Sequence, residues 1–513
     1  MVLQVKGRIS DGADKLEVHI QGDQLSVFCD TEAVVSFIHC QTITGTVVVL
    51  INGEVDLSSS TDEIPCARPP ATVEMAAVAE VSKRTWSKDS WRKYESLQMA
   101  EYEDKAAYGT VVDKLAKVPP LVHSDEVDAL TELLAKAARG EAFIIQGGDC
   151  AERFLDCEGD RLDAQLKLML QMSSLLEAST GLKAVPIARI AGQYGKPRSK
   201  PTETVAGVGE VYSFKGDNIN GYEIPARAWD PQRLLTGYWH SAATLNYLRM
   251  QQSSEAFSAS AVGTLDLDVL RSSPHYSSWS KVAATAKASG PSAGLVYTSH
   301  EAMQLDLEEA LTREVGGKGY YNLSAHMVWI GDRTRQILGG HVEYFRGIKN
   351  PIGCKVGPSM KADELKELVQ ILNPDRLQGR LILITRYGAS KIEEMLPAHI
   401  KAVHESGVPV VWEADAVHGN TVTASNKLKT RKFDDIVGEA AKALRIHREN
   451  GSILAGVHLE MTGQATVTEC TGGCIGIFEG MLTQNYETYC DPRLNYAQAI
   501  EASLVVADAL GNK

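Results

Sequence analysis

No stretch of about 18 uncharged apolar residues occurs in the chain, which argues against a helix built to cross a membrane. Positive charge is scarce as well. Lys and Arg number 52 against 65 Asp and Glu, a formal net charge of −13 at pH 7, so neither a nucleic-acid surface nor a membrane partner is expected. The nine cysteines lack the spacing of a disulfide framework, as suits a reducing compartment. The opening stretch, MVLQVKGRISDGADKLEVHI, has neither the apolar block of a signal peptide nor the Arg/Ser-rich, acid-poor look of a transit peptide, and a cytoplasmic location is expected. There is no internal repeat of fixed period and no long low-complexity tract. What is present is ordinary for a globular protein: 513 residues, 44% hydrophobic and 23% charged, enough for one large core and a smaller attachment.

The first part of the chain reads differently from the rest. KLEVHI sets Leu16, Val18 and Ile20 at period two, QLSVFC follows, and GTVVVLINGEVDLS carries an Asn52-Gly53 hairpin signal. A small β-rich module over 1–65 is expected, then a linker over 66–85 containing Pro69 and Pro70. From 86 to 513 short apolar strands alternate with amphipathic helices. SDEVDALTELLAKAARG places Leu130, Leu133, Leu134 and Ala137 on one face and stops at Gly140, and KADELKELVQIL does the same with Leu365, Leu368, Val369 and Leu372. The strands AFIIQGGDC, VPIARIAGQ, GLVYTSHEA, AHMVWIGDR, PIGCKVGP, RLILITRYG, VPVVWEADAVHG and LAGVHLEMTG all end in polar residues. They predict an α/β fold, a (β/α)8 TIM barrel with its chemistry at the C-terminal strand ends and an insertion around 200–293. SAVGTLDLDVL, within that insertion, reads as a ninth strand, and a doubly wound sheet is the alternative.

On the barrel reading, Cys150, His418 and Glu460 sit at the ends of the first, seventh and eighth strands, and Asp491 lies in the loop after the eighth. A thiolate, an imidazole and two carboxylates on one rim suit a divalent first-row ion. Each has a blander reading as a buried thiol, a structural His, an ion-paired Glu or a turn Asp. Cys157 and Cys490 are rivals to Cys150, and His326 and His458 compete from within strands. The same rim carries Arg189, Lys196, Arg198 and Ser199 after the second strand, Arg333 after the fourth, Lys355 at the end of the fifth and Arg386 at the end of the sixth. Cations stacked at so many strand ends repel unless an anion lies among them, so a small polyanionic substrate is expected. Separate solvated rim charges are the bland alternative.

At these residues the sequence resembles the type II (plant-like) 3-deoxy-D-arabino-heptulosonate 7-phosphate (DAHP) synthases. The matching stretches include EAFIIQGGDCAERF, RIAGQYGKPRS, SAHMVWIGDRTRQ, HVEYFRGIKNPIGCKVGPSM, TRYGASK, HGNT, GVHLEMTGQATVTECTGG and YETYCDPRLN, spread over about 86–510; residues 1–80 have no recognised counterpart. The resemblance implies a metal-dependent enzyme that condenses phosphoenolpyruvate with D-erythrose 4-phosphate at the head of aromatic amino acid biosynthesis. It implies Cys150, His418, Glu460 and Asp491 as ligands of a divalent metal, Mn²⁺ or Co²⁺ first and Fe²⁺ or Zn²⁺ next. Arg189, Lys196, Arg333, Lys355 and Arg386 would hold phosphoenolpyruvate, with Lys196 near the reacting centre. Arg198 and Ser199 would take the aldose phosphate, and a homo-oligomer is expected. The chain departs from the family pattern at Asp332, Lys215, Tyr387, Ala414, Ala416 and Val417. A pathway-specific enzyme for DAHP or amino-DAHP in secondary metabolism, a regulatory paralogue and a metal-dependent hydrolase are the competing readings.

Overall fold

Eight of the apolar runs form short parallel strands that close on one another: β1 Ala142–Gly148, β2 Lys183–Arg189, β3 Tyr297–Glu301, β4 Met327–Ile330, β5 Ile352–Val356, β6 Leu381–Thr385, β7 Val411–Asp415 and β8 Leu454–Glu460. Neighbours in sequence are neighbours in space, and β8 pairs back onto β1 with Gly456 opposite Ile144. The computed structural model describes residues 3–4, 16–21, 24–29, 32–37, 78, 80–291 and 294–511, and divides into two units, Met1–Arg68 and Pro69–Lys513. All eight expected strands are present, and closure rules out the doubly wound alternative.

In the first unit Leu3–Gln4, Leu16–Gln21, Gln24–Cys29 and Glu32–Phe37 pair antiparallel in chain order, with Leu16 opposite Cys29. The Asn52-Gly53 hairpin lies outside the described residues. Among the described residues of the second unit are the helices α1 Lys105–Leu115, α2 Ser124–Ala138, α3 Gly159–Thr180, α4 Gln232–Gln252, α5 Glu255–Gly263, α6 Tyr276–Ser289, α7 Leu305–Leu311, α8 Gly340–Phe345, α9 Ala362–Leu372, α10 Ile392–Ser406, α11 Phe433–Glu449 and α12 Tyr496–Gly511. The helix α2 starts on a capping box in which His123 and Glu126 exchange hydrogen bonds, and Gly140 beyond its end takes a positive φ of 75°. Its buried Leu130, Leu134 and Ala137 share a core cluster with Ile144, Val185, Ile187, Trp329, Ile382 and Val411 from the strands.

That cluster determines where chemistry can occur. Ile144, Val185, Ile187 and Ile384 belong to an apolar zone of the interior, while Gln146, Arg189, Lys355, Glu413, Asp415, His458 and Glu460, on β1, β2, β5, β7 and β8, are buried and polar. Trp329 divides the two zones, with Arg189 and Lys355 over its ring at 5.3 and 5.8 Å. Gly353 makes room for it, since a Cβ there would lie 2.6 Å from Trp329 Cβ. Between β2 and β3 the chain builds a hairpin, Thr202–Val205 with Gly209–Tyr212, followed by α4, α5 and α6. The expected ninth strand is absent: Ala261 to Gly263 end α5, and Asp268–Leu270 is a 3-10 turn. The apolar Leu265, Leu267 and Leu270 fill the core from a turn, so alternation there reflects burial and not pairing.

Candidate active site

Strand ends and the loops just beyond them bring Cys150, Glu460 and Asp491 together, with one donor atom of each within 4.8 Å of the others. A divalent ion bound at about 2.0–2.3 Å from its donors spans such a triangle. Cys150 and Glu460 are buried, and Asp491 is partly so. His418 is outside the mutually close set but adjoins it: its Nε2 lies 3.0 Å from Glu460 Oε1, and its Nδ1 faces Asp415 Oδ2 at 2.7 Å. Asp415 also accepts the backbone N–H of His418 at 3.1 Å and pairs with Lys355 Nζ. The carboxylate thus orients the ring through Nδ1 and turns Nε2 toward Glu460, the nitrogen that a metal beside Glu460 would take.

The donor set is embedded in positive charge. Lys196 Nζ is 2.7 Å from both Cys150 Sγ and Asp491 Oδ2. Lys429 Nζ reaches Asp491 Oδ1 at 2.8 Å, Arg431 Nη1 is 2.6 Å from Glu460 Oε2, and Arg189 Nη2 donates to Glu460 Oε1 at 3.1 Å. Burial would raise the Glu460 carboxyl, but His418, Arg431, Lys196 and Arg189 hold it well below the usual range. Asp491 is likewise held down, by Lys196 above all, against the effect of burial. Burial would depress the Lys196 ammonium, yet Asp491, Cys150 and Glu460 outweigh it and hold the group well above an ordinary lysine. Burial raises the Cys150 thiol; a divalent ion would deprotonate it outright.

Next to these donors opens a cleft of about 480 Å³. Its wall carries seven Lys or Arg against four Asp or Glu, a positive site in a chain of net charge −13. Six of the seven predicted anion-binding residues line it: Lys196, Arg198, Ser199, Arg333, Lys355 and Arg386. Arg333 Nη2 donates to Ser199 Oγ at 3.0 Å, and Arg386 Nη1 meets Asp332 Oδ2 at 3.1 Å. Arg189 is not on the wall. It is buried, with Nε on Asp149 O at 2.9 Å, Nη1 on His458 Nε2 at 2.7 Å and Nη2 on Cys150 O at 3.1 Å.

The rival ligands sort out by position. His326 Nδ1 accepts from Thr298 N at 2.9 Å, Cys157 Sγ faces Thr244 Oγ1 at 3.3 Å, and His458 lies between Arg189 and Gln146. Cys490 stays close, packed against Cys150 with Phe214. Sequence reading missed Lys429 and Arg431, which in NKLKTRKF look like a solvated charge run, yet Arg431 is fully buried. It also missed Trp329, which reads as ordinary core.

A model of the class-II DAHP synthetase family matches residues 86–507. The chain belongs to this family. A phospho-2-dehydro-3-deoxyheptonate aldolase of Neurospora crassa is 44% identical over 455 residues, covering 82% of this chain and 94% of that protein. A protein of the same name from Streptomyces coelicolor is 41% identical over 435 residues, covering 82% and 96%. A solved aldolase of that name from Thermotoga maritima aligns over 72% of this chain and 70% of its own at 13% identity and a TM-score of 0.31.

Where this class-II DAHP synthetase chain departs from the expected family pattern, the changes fall mostly in packing. Ala414, Ala416 and Val417 are buried, Ala414 among helix-facing side chains, while Asp415 between them keeps its contacts to His418 and Lys355. Tyr387 is buried, with its hydroxyl on His399 Nδ1 at 2.6 Å. Lys215 donates to Gln98 O at 2.8 Å. Asp332 alone touches the cleft, where it bridges Arg386 and Arg335, each at 3.1 Å.

Proposed function

We propose that the chain condenses phosphoenolpyruvate with D-erythrose 4-phosphate and water to give 3-deoxy-D-arabino-heptulosonate 7-phosphate and phosphate. The observation that carries this reading is a cleft rich in Arg and Lys opening beside the Cys150, Glu460 and Asp491 donors, in a member of the class-II DAHP synthetase family. Cys150, His418, Glu460 and Asp491 are the residues that would hold a divalent ion, Mn²⁺ or Co²⁺ before Fe²⁺ or Zn²⁺. When bound, that ion supplies Lewis acidity to the aldehyde carbonyl.

The protein's own groups do the rest. Lys355, Arg386, Arg333 and Lys196 supply cations for the carboxylate and phosphate of phosphoenolpyruvate, with Arg189 behind them, and Arg198 with Ser199 faces the phosphate of the aldose. Carbon 3 of phosphoenolpyruvate bonds to the aldehyde carbon, water adds at carbon 2, and the C–O bond to phosphate is then lost. Lys196 keeps its proton on Nζ, because its neighbours hold it well above the usual range. It stands as an electrostatic partner beside the reacting atoms. Arg198 and Ser199 stand toward the open side of the cleft, Lys355 and Trp329 toward the barrel interior, which supports phosphoenolpyruvate entering beneath the aldose, with Arg333, bonded to Ser199, between the two.

A homo-oligomer belongs to this reading, and exposed Trp239 and Met250 on α4 are apolar side chains that association could cover. Six free cysteines among the described residues suit a reducing compartment, in keeping with a cytoplasmic enzyme. Among the described residues no helix is long and apolar enough to cross a membrane. The test is phosphate release from phosphoenolpyruvate with a panel of four- and five-carbon aldose phosphates, amino-substituted ones included, with and without added Mn²⁺. Turnover is expected with erythrose 4-phosphate; phosphate release with none of the panel, or only with an amino-substituted aldose, overturns the assignment.

A further inference from the structure

Inside the barrel, below the donors, four side chains form a hydrogen-bonded chain whose protonation can be worked out from one end. Arg189 can only donate. Its Nη1 lies 2.7 Å from His458 Nε2, so that nitrogen offers a lone pair and the neutral ring carries its proton on Nδ1. His458 Nδ1 lies 2.7 Å from one amide atom of Gln146, which must then be the oxygen. The amide nitrogen accordingly faces Ser299 Oγ at 2.8 Å, and Ser299 donates onward to Ala188 O at 3.2 Å. The amide oxygen also lies 2.8 Å from Glu413 Oε2. Two acceptors do not approach so closely without a proton between them. Turning the amide round would satisfy an ionised Glu413, but would place its NH₂ on His458 Nδ1 and drive the ring proton onto Nε2, against the guanidinium.

We propose that Glu413 is a positioning residue: a neutral carboxylic acid that donates to Gln146, holds His458 in the Nδ1–H form and so anchors Arg189 beside the donor cluster. This rests on the reading of Arg189 as a ligand of phosphoenolpyruvate. Glu413 is buried on β7. Arg189 has four of its five N–H groups committed, to Asp149 O, His458, Cys150 O and Glu460. The anchor therefore determines where the remaining Nη1–H points. Independently of the hydrogen-bond reasoning, burial pushes the Glu413 carboxyl up to about 8, with Asp415 adding to the rise and Lys355 and Arg189 opposing it. The charged or titratable groups around it are thus Lys355 on β5, Asp415 on the same strand, Arg189 on β2 and His458 on β8. Loss of the proton above that range would turn the Gln146 amide, move the His458 proton to Nε2 and push the guanidinium away.

The experiment combines ¹⁵N-histidine NMR, with the His458 signal assigned from His458→Gln, and steady-state kinetics on wild type and Glu413→Gln, whose amide N–H can replace the carboxyl O–H. At neutral pH, His458 is expected to be protonated on Nδ1 in both proteins. Raising the pH past about 8 should move that proton to Nε2 and raise KM for phosphoenolpyruvate by about tenfold in wild type only, with kcat changed less than about twofold. A His458 proton on Nε2 at neutral pH, or an alkaline change that persists in Glu413→Gln, overturns the proposal. The NMR arm needs no substrate. If phosphoenolpyruvate is not turned over at all, the functional reading fails while the His458 signal still decides the role of Glu413.

Discussion

Asp415 shows how much one side chain at a strand end can do: it orients His418, pairs with Lys355 and caps two backbone N–H groups of its own turn. Burial would raise its carboxyl, but His418 and Lys355 hold it well below the ordinary value of 3.8. A carboxyl depressed in the folded state stabilises fully above its unfolded pKa, and that contribution is lost as the pH falls toward the folded one. The Tm difference between wild type and Asp415→Asn should therefore hold from about pH 7 to about pH 5 and shrink below about pH 4; calorimetry in metal-free buffer measures it. Lys355→Ala should weaken phosphoenolpyruvate binding by roughly 2–4 kcal/mol, because it removes a buried charge-assisted partner from the cleft. Isothermal titration checks this, and near-normal affinity would make Lys355 a mere counter-ion of Asp415. Cys150→Ser should lower divalent-metal affinity by roughly tenfold or more while the thermal transition stays cooperative. Metal retained after dialysis, read by atomic emission, separates loss of a ligand from loss of fold.

At the scale of elements, the loops after β6 and β7 cross at two glycines. A Cβ on Gly419 would lie 2.2 Å from Gly388 N, and Gly388 itself has a φ of +87°. The crossing sets Arg386 and His418 side by side, with Arg386 Nη2 3.5 Å from His418 O. Gly419→Ala should therefore force the loops apart, costing about 1–3 kcal/mol of stability and most of the turnover. Urea unfolding and the phosphate-release assay read the two effects; an unchanged variant would mean the loops move freely. A second clamp serves the loop after β2, where buried Glu152 accepts N–H bonds from Ala191, Gly192 and Gln193 at 2.9, 2.9 and 2.7 Å. Ala191 has a φ of 60°, strained for a residue with a Cβ, and these bonds hold it there. That loop runs on to Lys196 and Arg198.

At the scale of the whole molecule, the predicted ligands all belong to the unit Pro69–Lys513. Val78 donates its backbone N–H to Glu367 Oε1 at 3.1 Å and Val81 is buried, so a truncation must stop before them. Deleting residues 1–68 is expected to leave a soluble barrel with basal turnover and to alter assembly or the response to aromatic amino acids. Light scattering and activity with and without those amino acids check this, and an insoluble or inert product would make the N-terminal unit structural.

By itself the sequence determined the eight strands, because each is a continuous apolar run ended by polar residues, and it determined which strand ends carry Cys150, Lys196, Lys355, Arg386, His418 and Glu460. Those are local properties of a few consecutive residues. The ninth strand failed because apolar alternation in SAVGTLDLDVL reports burial without saying whether a backbone partner is present. Closure of the barrel alone decided that Arg431, from an outwardly ordinary charge run, would be buried on Glu460, and that Arg189 would stand behind the cleft and not on its wall. It decided, too, that Glu413, His458 and Gln146 meet. The reason is physical: pairing β8 with β1 brings residues some 300 positions apart within hydrogen-bond distance, and no local pattern of charge or hydropathy encodes which of them will share a proton.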